Sequence, residues 1–260
     1  MTLWVRFNDA GLLRFGTLDG DLITPHRGSM FADSEPDGEP VALADVQLRA
    51  PCEPRTFIGL WNNYHALAAK FAYLVPEEPL FFIKAPGSLL DPGGVIRRPP
   101  GYAGKIAYEG ELGIVIGQRC SEVDEATAAR SIFGYTCIND VTALEWLGGP
   151  AGFPQWTRAK GCDTFGPIGP AIATGLDWRE LVVRTLVDGR ERQNYPASDM
   201  ILSPARIISL ISRELTLLPG DVIACGTSLG VLPMRPGYRI DVSIDGIGTL
   251  SNSFEGDRAE

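Results

Sequence analysis

Tyr108-Glu109-Gly110-Glu111-Leu112-Gly113-Ile114-Val115-Ile116 is the stretch on which the reading of this chain turns. Ala107 to Gly117 alternates and becomes β-branched toward its end, which predicts a buried strand. Glu109 and Glu111 stand two residues apart, so on a strand they face one side. Two like charges on a mostly buried strand repel and must be desolvated, unless they share a cation or take up a proton. The plainer alternative is a solvated strand face. A third carboxylate, Asp140, follows the apolar strand Ile132 to Asn139, where it could equally cap a helix that starts there.

Working outward, the same alternation recurs more often than helical spacing does. Short strands are predicted at Leu3 to Phe7 and Leu12 to Thr17, with Asp19-Gly20 as a hairpin turn. Further strands are expected at Thr56 to Leu60, Leu80 to Lys84, Leu181 to Val187 (running into the turn Asp188-Gly189), Asp221 to Cys225 and Tyr238 to Ile244. Helices are predicted from Asn62 to Leu74, from Val123 to Ser131, and after Ser203-Pro204, where an N-cap residue precedes a proline at the first helical position. Pro86 to Lys105 reads as a loop. Strands outnumber helices and do not alternate with them, so the fold class is a β-rich α+β fold rather than a doubly wound sheet. Residues 1–50 form a small N-terminal β-rich segment, and residues 51–260 the main domain.

The 260 residues are 45% hydrophobic and 21% charged, enough apolar content for a proper core and too much for a disordered chain. No run of roughly 18 apolar residues occurs, so no membrane span is expected. Met1 to Asp9 carries Arg6 and Asp9 and does not read as a secretory leader. Lys plus Arg number 23 against 32 for Asp plus Glu, a net charge of −9, which argues against nucleic acid as a partner. The five cysteines form no C-x-x-C pair, and in a chain of this kind they read as reduced and cytoplasmic. With only His26 and His65 present, a site built on several histidines is excluded. A metal here would be held by carboxylates, which favour Mg²⁺, with Mn²⁺ or Ca²⁺ as alternatives.

Gly226-Thr227-Ser228-Leu229-Gly230 fits G-x-S-x-G, but the nucleophile elbow needs a helix after the turn. Pro233, Pro236 and Gly237 follow instead, and both histidines precede the serine, so a serine hydrolase is not expected.

The ordered pieces resemble the fumarylacetoacetate hydrolase family, from about Arg55 to Phe254. The markers begin with Gly59-Leu60 and His65, Pro79 to Pro86, Tyr108 to Leu112, Gly134-Tyr135-Thr136, Asn139 to Ala143, and Gln155-Trp156 with Lys160. Asp163 to Pro167, Arg192-Gln193-Asn194 with Asp199-Met200, Leu218 to Ile223 and Gly226-Thr227 complete them. The resemblance implies a rolled mixed β-sheet domain, a homodimer, and a divalent ion held by Glu109, Glu111 and Asp140. It also implies catalytic roles for His65 and Lys160, and substrate binding by Lys160, Gln155, Gly226 and Thr227. The implied substrate is a small 2-oxo acid. The implied activity is metal-dependent hydrolysis of a C–C bond in an acylpyruvate-like 2,4-dioxo acid. Alternatives are isomerisation or decarboxylation of a 2-oxo or 2-hydroxy-dienoate such as 2-hydroxyhepta-2,4-diene-1,7-dioate, or a non-catalytic small-molecule-binding homodimer. The chain departs from the family where Ala68 replaces a glutamate that partners the lid histidine, Leu144 replaces an arginine, and Trp61-Asn62 replaces Asn-Tyr. The resemblance also casts Trp61 to Leu74 as a lid that carries His65.

Overall fold

A computed structural model describes residues 1–149 and 152–255. The architecture is a β-rich α+β fold built on a large mixed sheet, with a five-stranded sheet beside it. The helices are short, the longest being Pro204–Ile211.

The Gly110–Ile116 strand is buried at every position and pairs antiparallel with Ile132–Asn139, with Gly110 opposite Asn139 and Glu111 opposite Ile138. On its other side it pairs with Val222–Ala224, which runs parallel to Phe57–Trp61. Phe57–Trp61 pairs antiparallel with Leu80–Lys84, the last strand at that end of the sheet. In the opposite direction Ile132–Asn139 pairs with Gly166–Thr174, which pairs in turn with Thr2–Asp9. The N-terminal strands therefore continue the same sheet. One face of it, with Ile58, Leu112, Ile114 and Ile223, packs with Val183 of the five-stranded sheet and Ile207 of the helix Pro204–Ile211 in one large apolar cluster, while Phe57, Val115, Ile138 and Val222 belong to a second.

Local chemistry explains most boundaries. The helix Glu125–Arg130 starts where the Asp124 carboxylate accepts from the Thr127 N–H at 2.7 Å. The helix Pro204–Ile211 starts where Ser203 Oγ accepts from Arg206 N–H at 3.3 Å, with proline at the first position. Asp188 and Gly189 both have positive φ, +47° and +73°, as a two-residue hairpin with the right twist requires.

Three expectations change. The predicted helix from Asn62 to Leu74 is only His65–Phe71. Asn62 lies in the left-handed region at φ +58°, Tyr64 is extended, and Ala72 ends the helix at φ +53°. The Pro86 to Lys105 loop holds two short strands, Leu89–Leu90 and Val95–Ile96. The nine-residue strand Gly166–Thr174 was not legible, because its two glycines and two prolines read as turn residues. Its register with Ile132–Asn139 shifts between Tyr135 and Cys137, passing from Ala173 to Gly169, so the ladder is interrupted around Pro170, which has no N–H to give.

Candidate metal centre

The pairing of Gly110–Ile116 with Ile132–Asn139 builds the site. Glu109 immediately precedes the first strand and Asp140 immediately follows the second, and Asp140 N–H donates to Glu109 O at 2.8 Å. Antiparallel register thus sets the end of one strand beside the start of the other, and Glu111 points into the same space. Carboxylate oxygens of Glu109, Glu111 and Asp140 lie within 4.8 Å of one another. Glu111 and Asp140 are fully buried.

Gly110 is held from three sides. Its N–H donates to Gln193 Oε1 at 2.9 Å, and its carbonyl accepts from Thr227 Oγ1 at 3.0 Å and Tyr195 OH at 2.5 Å. A Cβ at this position would meet Thr185 Oγ1 at 2.0 Å, so the residue between the two glutamates has to be glycine. Gln193 Nε2 also donates to Thr227 Oγ1 at 2.8 Å, tying the Gly226-Thr227 turn to the strand. The Gly226 N–H donates to Glu111 Oε2 at 2.8 Å, and Thr142 Oγ1 donates to Glu109 Oε1 at 2.5 Å.

Two buried lysines complete the cluster. Lys160, at the end of the helix Trp156–Lys160, donates to Glu109 Oε2 at 2.9 Å and Asp140 Oδ2 at 2.6 Å. Lys84, the last residue of its strand, donates to Asp140 Oδ1 at 2.5 Å and to the Lys160 carbonyl at 2.6 Å. Burial alone would raise the Asp140 pKa, but Lys160 and Lys84 outweigh it and hold the carboxyl below its ordinary range. Lys160 is disfavoured by burial, yet the carboxylates of Asp140, Glu109 and Glu111 push its pKa above the usual lysine value. Burial pulls Lys84 down despite Asp140. Glu111 is pushed well above the ordinary glutamate value, first by burial, then by Asp140 and Glu109.

The donor set fits a hard divalent ion. Glu111 Oε1 is buried and has no hydrogen-bond partner, an expensive arrangement for a carboxylate oxygen unless it meets a cation or a proton. With all three carboxylates ionised against two protonated lysines the cluster would carry one negative charge, which a divalent ion would turn into one positive charge.

The structure brings together Glu109, Glu111, Asp140 and Lys160, with Gly226 and Thr227 on the adjoining turn. Gln155 lies outside this network. Its side chain accepts from Arg158 at 3.3 Å within its own helix, and the glutamine that joins the network is Gln193. His65 is exposed at the first residue of its short helix and makes no side-chain hydrogen bond with the described residues. Ala68, one turn on, is buried. The base of this segment is pinned, because Asn63 donates to Cys225 O at 2.9 Å and accepts from Leu202 N–H at 2.9 Å.

Lys84 and Gln193 were missed as site residues. Beyond its place in the marker Pro79 to Pro86, Lys84 gave one signal: in Leu80-Phe81-Phe82-Ile83-Lys84 it is the lone charge, on the same strand face as Phe82. Beyond its place in the marker Arg192-Gln193-Asn194, Gln193 gave none, since a glutamine among polar residues reads as surface.

Comparison with known proteins agrees with this architecture. Residues 56–255 match the fumarylacetoacetate (FAA) hydrolase C-terminal family, and residues 3–51 match the Rv2993c-like N-terminal family. The chain belongs to the fumarylacetoacetate hydrolase family. It is 39% identical over 248 residues to protein Rv2993c of Mycobacterium tuberculosis, covering 92% of each chain. The crystal structure of 2-hydroxyhepta-2,4-diene-1,7-dioate isomerase from Mycobacterium marinum is similar at TM-score 0.90 and 34% identity, over 99% of this chain and 100% of that one. Maleylpyruvate hydrolase from Sphingobium sp. SYK-6, in complex with manganese (II) ion and pyruvate, is similar at TM-score 0.80 and 28% identity, over 98% and 99%. Among the described residues no helix is long and apolar enough to cross a membrane.

Proposed function

We propose that this protein is a divalent-metal-dependent enzyme that hydrolyses a C–C bond in an acylpyruvate-like 2,4-dioxo acid. The observation that carries the reading is the convergence of Glu109, Glu111 and Asp140 around the unpartnered Glu111 Oε1, with Lys160 and Lys84 alongside. Glu109, Glu111 and Asp140 would hold the ion, Mg²⁺ in the first instance, with Mn²⁺ or Ca²⁺ as alternatives. A divalent ion in this place supplies Lewis acidity toward the oxygens of a 2-oxo carboxylate.

The chain's own residues do the rest. Lys160 places a fixed, buried ammonium against Glu109 and Asp140, where it would face negative charge developing on an enolate oxygen. Lys84 holds Asp140 and the Lys160 carbonyl, so both arrive in one orientation. Gln193 and Thr227 fix the Gly226 turn, whose N–H orients Glu111. In the overall reaction one water is consumed: the bond between the acyl carbon and the methylene carbon breaks, the acyl carbon gains a hydroxyl, and the methylene carbon gains a proton to give pyruvate. The similarity to maleylpyruvate hydrolase, whose structure holds manganese and pyruvate, supports this reading.

A second reading, isomerisation of a 2-hydroxy-dienoate, is favoured by one observation. His65 is exposed and buried Ala68 offers it no acidic partner, so activation of water by a histidine–carboxylate pair lacks one member. The similarity to the Mycobacterium marinum isomerase supports it as well. We place the active form as a homodimer, which light scattering tests directly. Product analysis on 2,4-dioxo acids and on 2-hydroxy-dienoates, with Mg²⁺ or Mn²⁺ and with chelator, decides between the reactions. Chelator-sensitive release of pyruvate is expected. Turnover that survives complete removal of metal would overturn the metal-dependent reading.

A further inference from the structure

One face of the hairpin formed by Phe57–Trp61 and Leu80–Lys84 runs outward from the carboxylate cluster. The pairs along it are Phe57 with Lys84, Gly59 with Phe82, and Trp61 with Leu80. Alternate residues share a face, so these side chains form one row, and each two-residue step advances about 7 Å. At the inner end the Lys84 ammonium lies 5.8 Å from the Phe57 ring centroid and bonds Asp140. In the middle the Phe82 ring lies across Gly59, where a Cβ would stand 2.4 Å from the ring, so glycine is what lets the ring lie flat. The Lys160 ammonium sits 5.3 Å from the Phe82 centroid. Trp156, on the same helix as Lys160, packs on Phe82 at 5.4 Å and on Trp61 at 5.9 Å.

At the outer end the row opens into a cleft of about 620 Å³ lined by Trp61, Leu80, Phe82 and Trp156, among other residues. Among the described residues, the one charged member of its lining is Glu214. Trp61 is 37% exposed and Leu80 43% exposed, a large apolar surface to leave against water. The Phe82 ring thus neighbours both the Lys160 ammonium and the cleft.

We propose that this cleft is the subsite for the acyl end of the substrate, and that it takes an aromatic or branched apolar group rather than a second carboxylate. The inference rests on the proposed 2,4-dioxo acid chemistry and names its substrate class. The charged head of such a molecule belongs at the lysines and carboxylates. Its far end would then extend along the row past Phe82, where aromatic faces bury apolar area and Glu214 repels an anion.

The test uses manganese-loaded protein and calorimetric binding of three compounds with the same head: 2,4-dioxopentanoate, 2,4-dioxo-4-phenylbutanoate and 2,4-dioxoheptanedioate. The phenyl compound should bind at least about tenfold more tightly than either of the others. Trp61→Ala should bring the phenyl-to-methyl ratio close to one, and the exposed Glu214→Lys should shift preference toward the dicarboxylate. A wild-type preference for the dicarboxylate, equal binding of phenyl and methyl compounds, or a ratio unmoved by Trp61→Ala overturns the subsite. So does a mass that falls from dimer to monomer in either variant, since the cleft would then be covered by a second copy. Phenyl preference without turnover of any of the three sinks the hydrolase reading and leaves the subsite standing. No binding by any of them sinks both.

Discussion

The paired strands Gly110–Ile116 and Ile132–Asn139 and the segment from Trp61 to Leu74 meet the same site by opposite routes. In the strand pair, register alone places Glu109, Glu111 and Asp140, and each carboxylate is bonded by a lysine, a threonine or a backbone N–H. The other segment is anchored by Asn63 and by the Ala66 N–H, which donates to Asp199 Oδ2 at 3.0 Å, while its one imidazole, His65, stands exposed. Charges desolvated together must be fixed together, because an unpaired one is costly. A solvated side chain carries no such demand. The comparison therefore assigns metal binding and charge stabilisation to the strand pair, and leaves the helix His65–Phe71 a small share of the rate.

The largest expected effect tests the strand pair at its centre. Asp140→Asn keeps the shape but removes the charge that both lysines face. Divalent-ion affinity should fall by more than about 100-fold, since loss of even an outer partner costs 10–100-fold. Stability should fall by about 3–5 kcal/mol, because two buried ammonium groups lose their shared counter-charge. Calorimetry with Mn²⁺ and urea unfolding check the two separately. A variant with parental metal affinity would mean that the three carboxylates do not share an ion.

Lys160→Met sharpens the same side of the comparison. Lys160 bonds two of the proposed ligands directly, so the residue competes with the ion as well as serving the substrate. Turnover should fall by about 10²–10³, as when one charge-stabilising donor is lost. Metal affinity should hold or rise. A drop in both by the same factor would make Lys160 a structural strut.

How much of this was legible follows from the same physics. The strand pair could be read because its burial is nearly uniform and its apolar residues leave few alternatives, and the E-x-E spacing then put two charges where charges are costly. Gly166–Thr174 could not be read, though it lies between the site strand and the N-terminal strands, because its glycines and prolines carry turn signals that pairing on both sides overrides. Lys84 was hidden by position: a lysine that ends an apolar strand reads as a head reaching for water, and only the arrival of Asp140 from a strand elsewhere in the chain shows it is buried. The helix from Asn62 was overextended because the apolar spacing continues past Phe71, while Asn62 and Ala72 take left-handed backbone that spacing cannot reveal.

A third effect is smaller and depends on pH. In the metal-free protein Glu111 has its pKa raised, first by burial, so it holds its proton above the ordinary glutamate range. Between the unfolded and folded values the native state binds more protons than the unfolded one, so stability falls as pH rises through that window. An ion must displace this proton, so metal affinity should rise with pH there, by at most about tenfold per pH unit. Asp140 works the other way: its lowered pKa stabilises the fold above the ordinary aspartate value, and that contribution is lost as pH falls through the folded value. Calorimetry in buffers of different ionisation enthalpy reads the released proton. A pH-independent affinity would place the ion away from Glu111.

The smallest effect belongs to the helical segment and is the one most able to break the comparison. A histidine acting as general base contributes about 10²–10⁴ in rate when it is positioned and its tautomer fixed. His65 has neither support within the described residues, so His65→Ala should lower kcat by no more than about tenfold. Supplying a partner one turn along the helix is not a simple repair. Ala68 is 2% exposed, its N–H donates to Tyr64 O at 3.0 Å, and its carbonyl accepts from Tyr73 N–H at 2.9 Å. Its side chain faces the core, so Ala68→Glu must either bury a carboxylate or rotate the helix. Overpacking at such a site costs about 1–3 kcal/mol. That corresponds to a fall in Tm of roughly 2–4 °C per kcal/mol for a chain of this size. The expected result is a less stable protein with an unchanged ratio of hydrolysis to isomerisation. If Ala68→Glu instead raises hydrolysis and His65→Ala then abolishes the gain, the helix moves over the cluster during turnover, and the segment has a catalytic role that its resting geometry does not display.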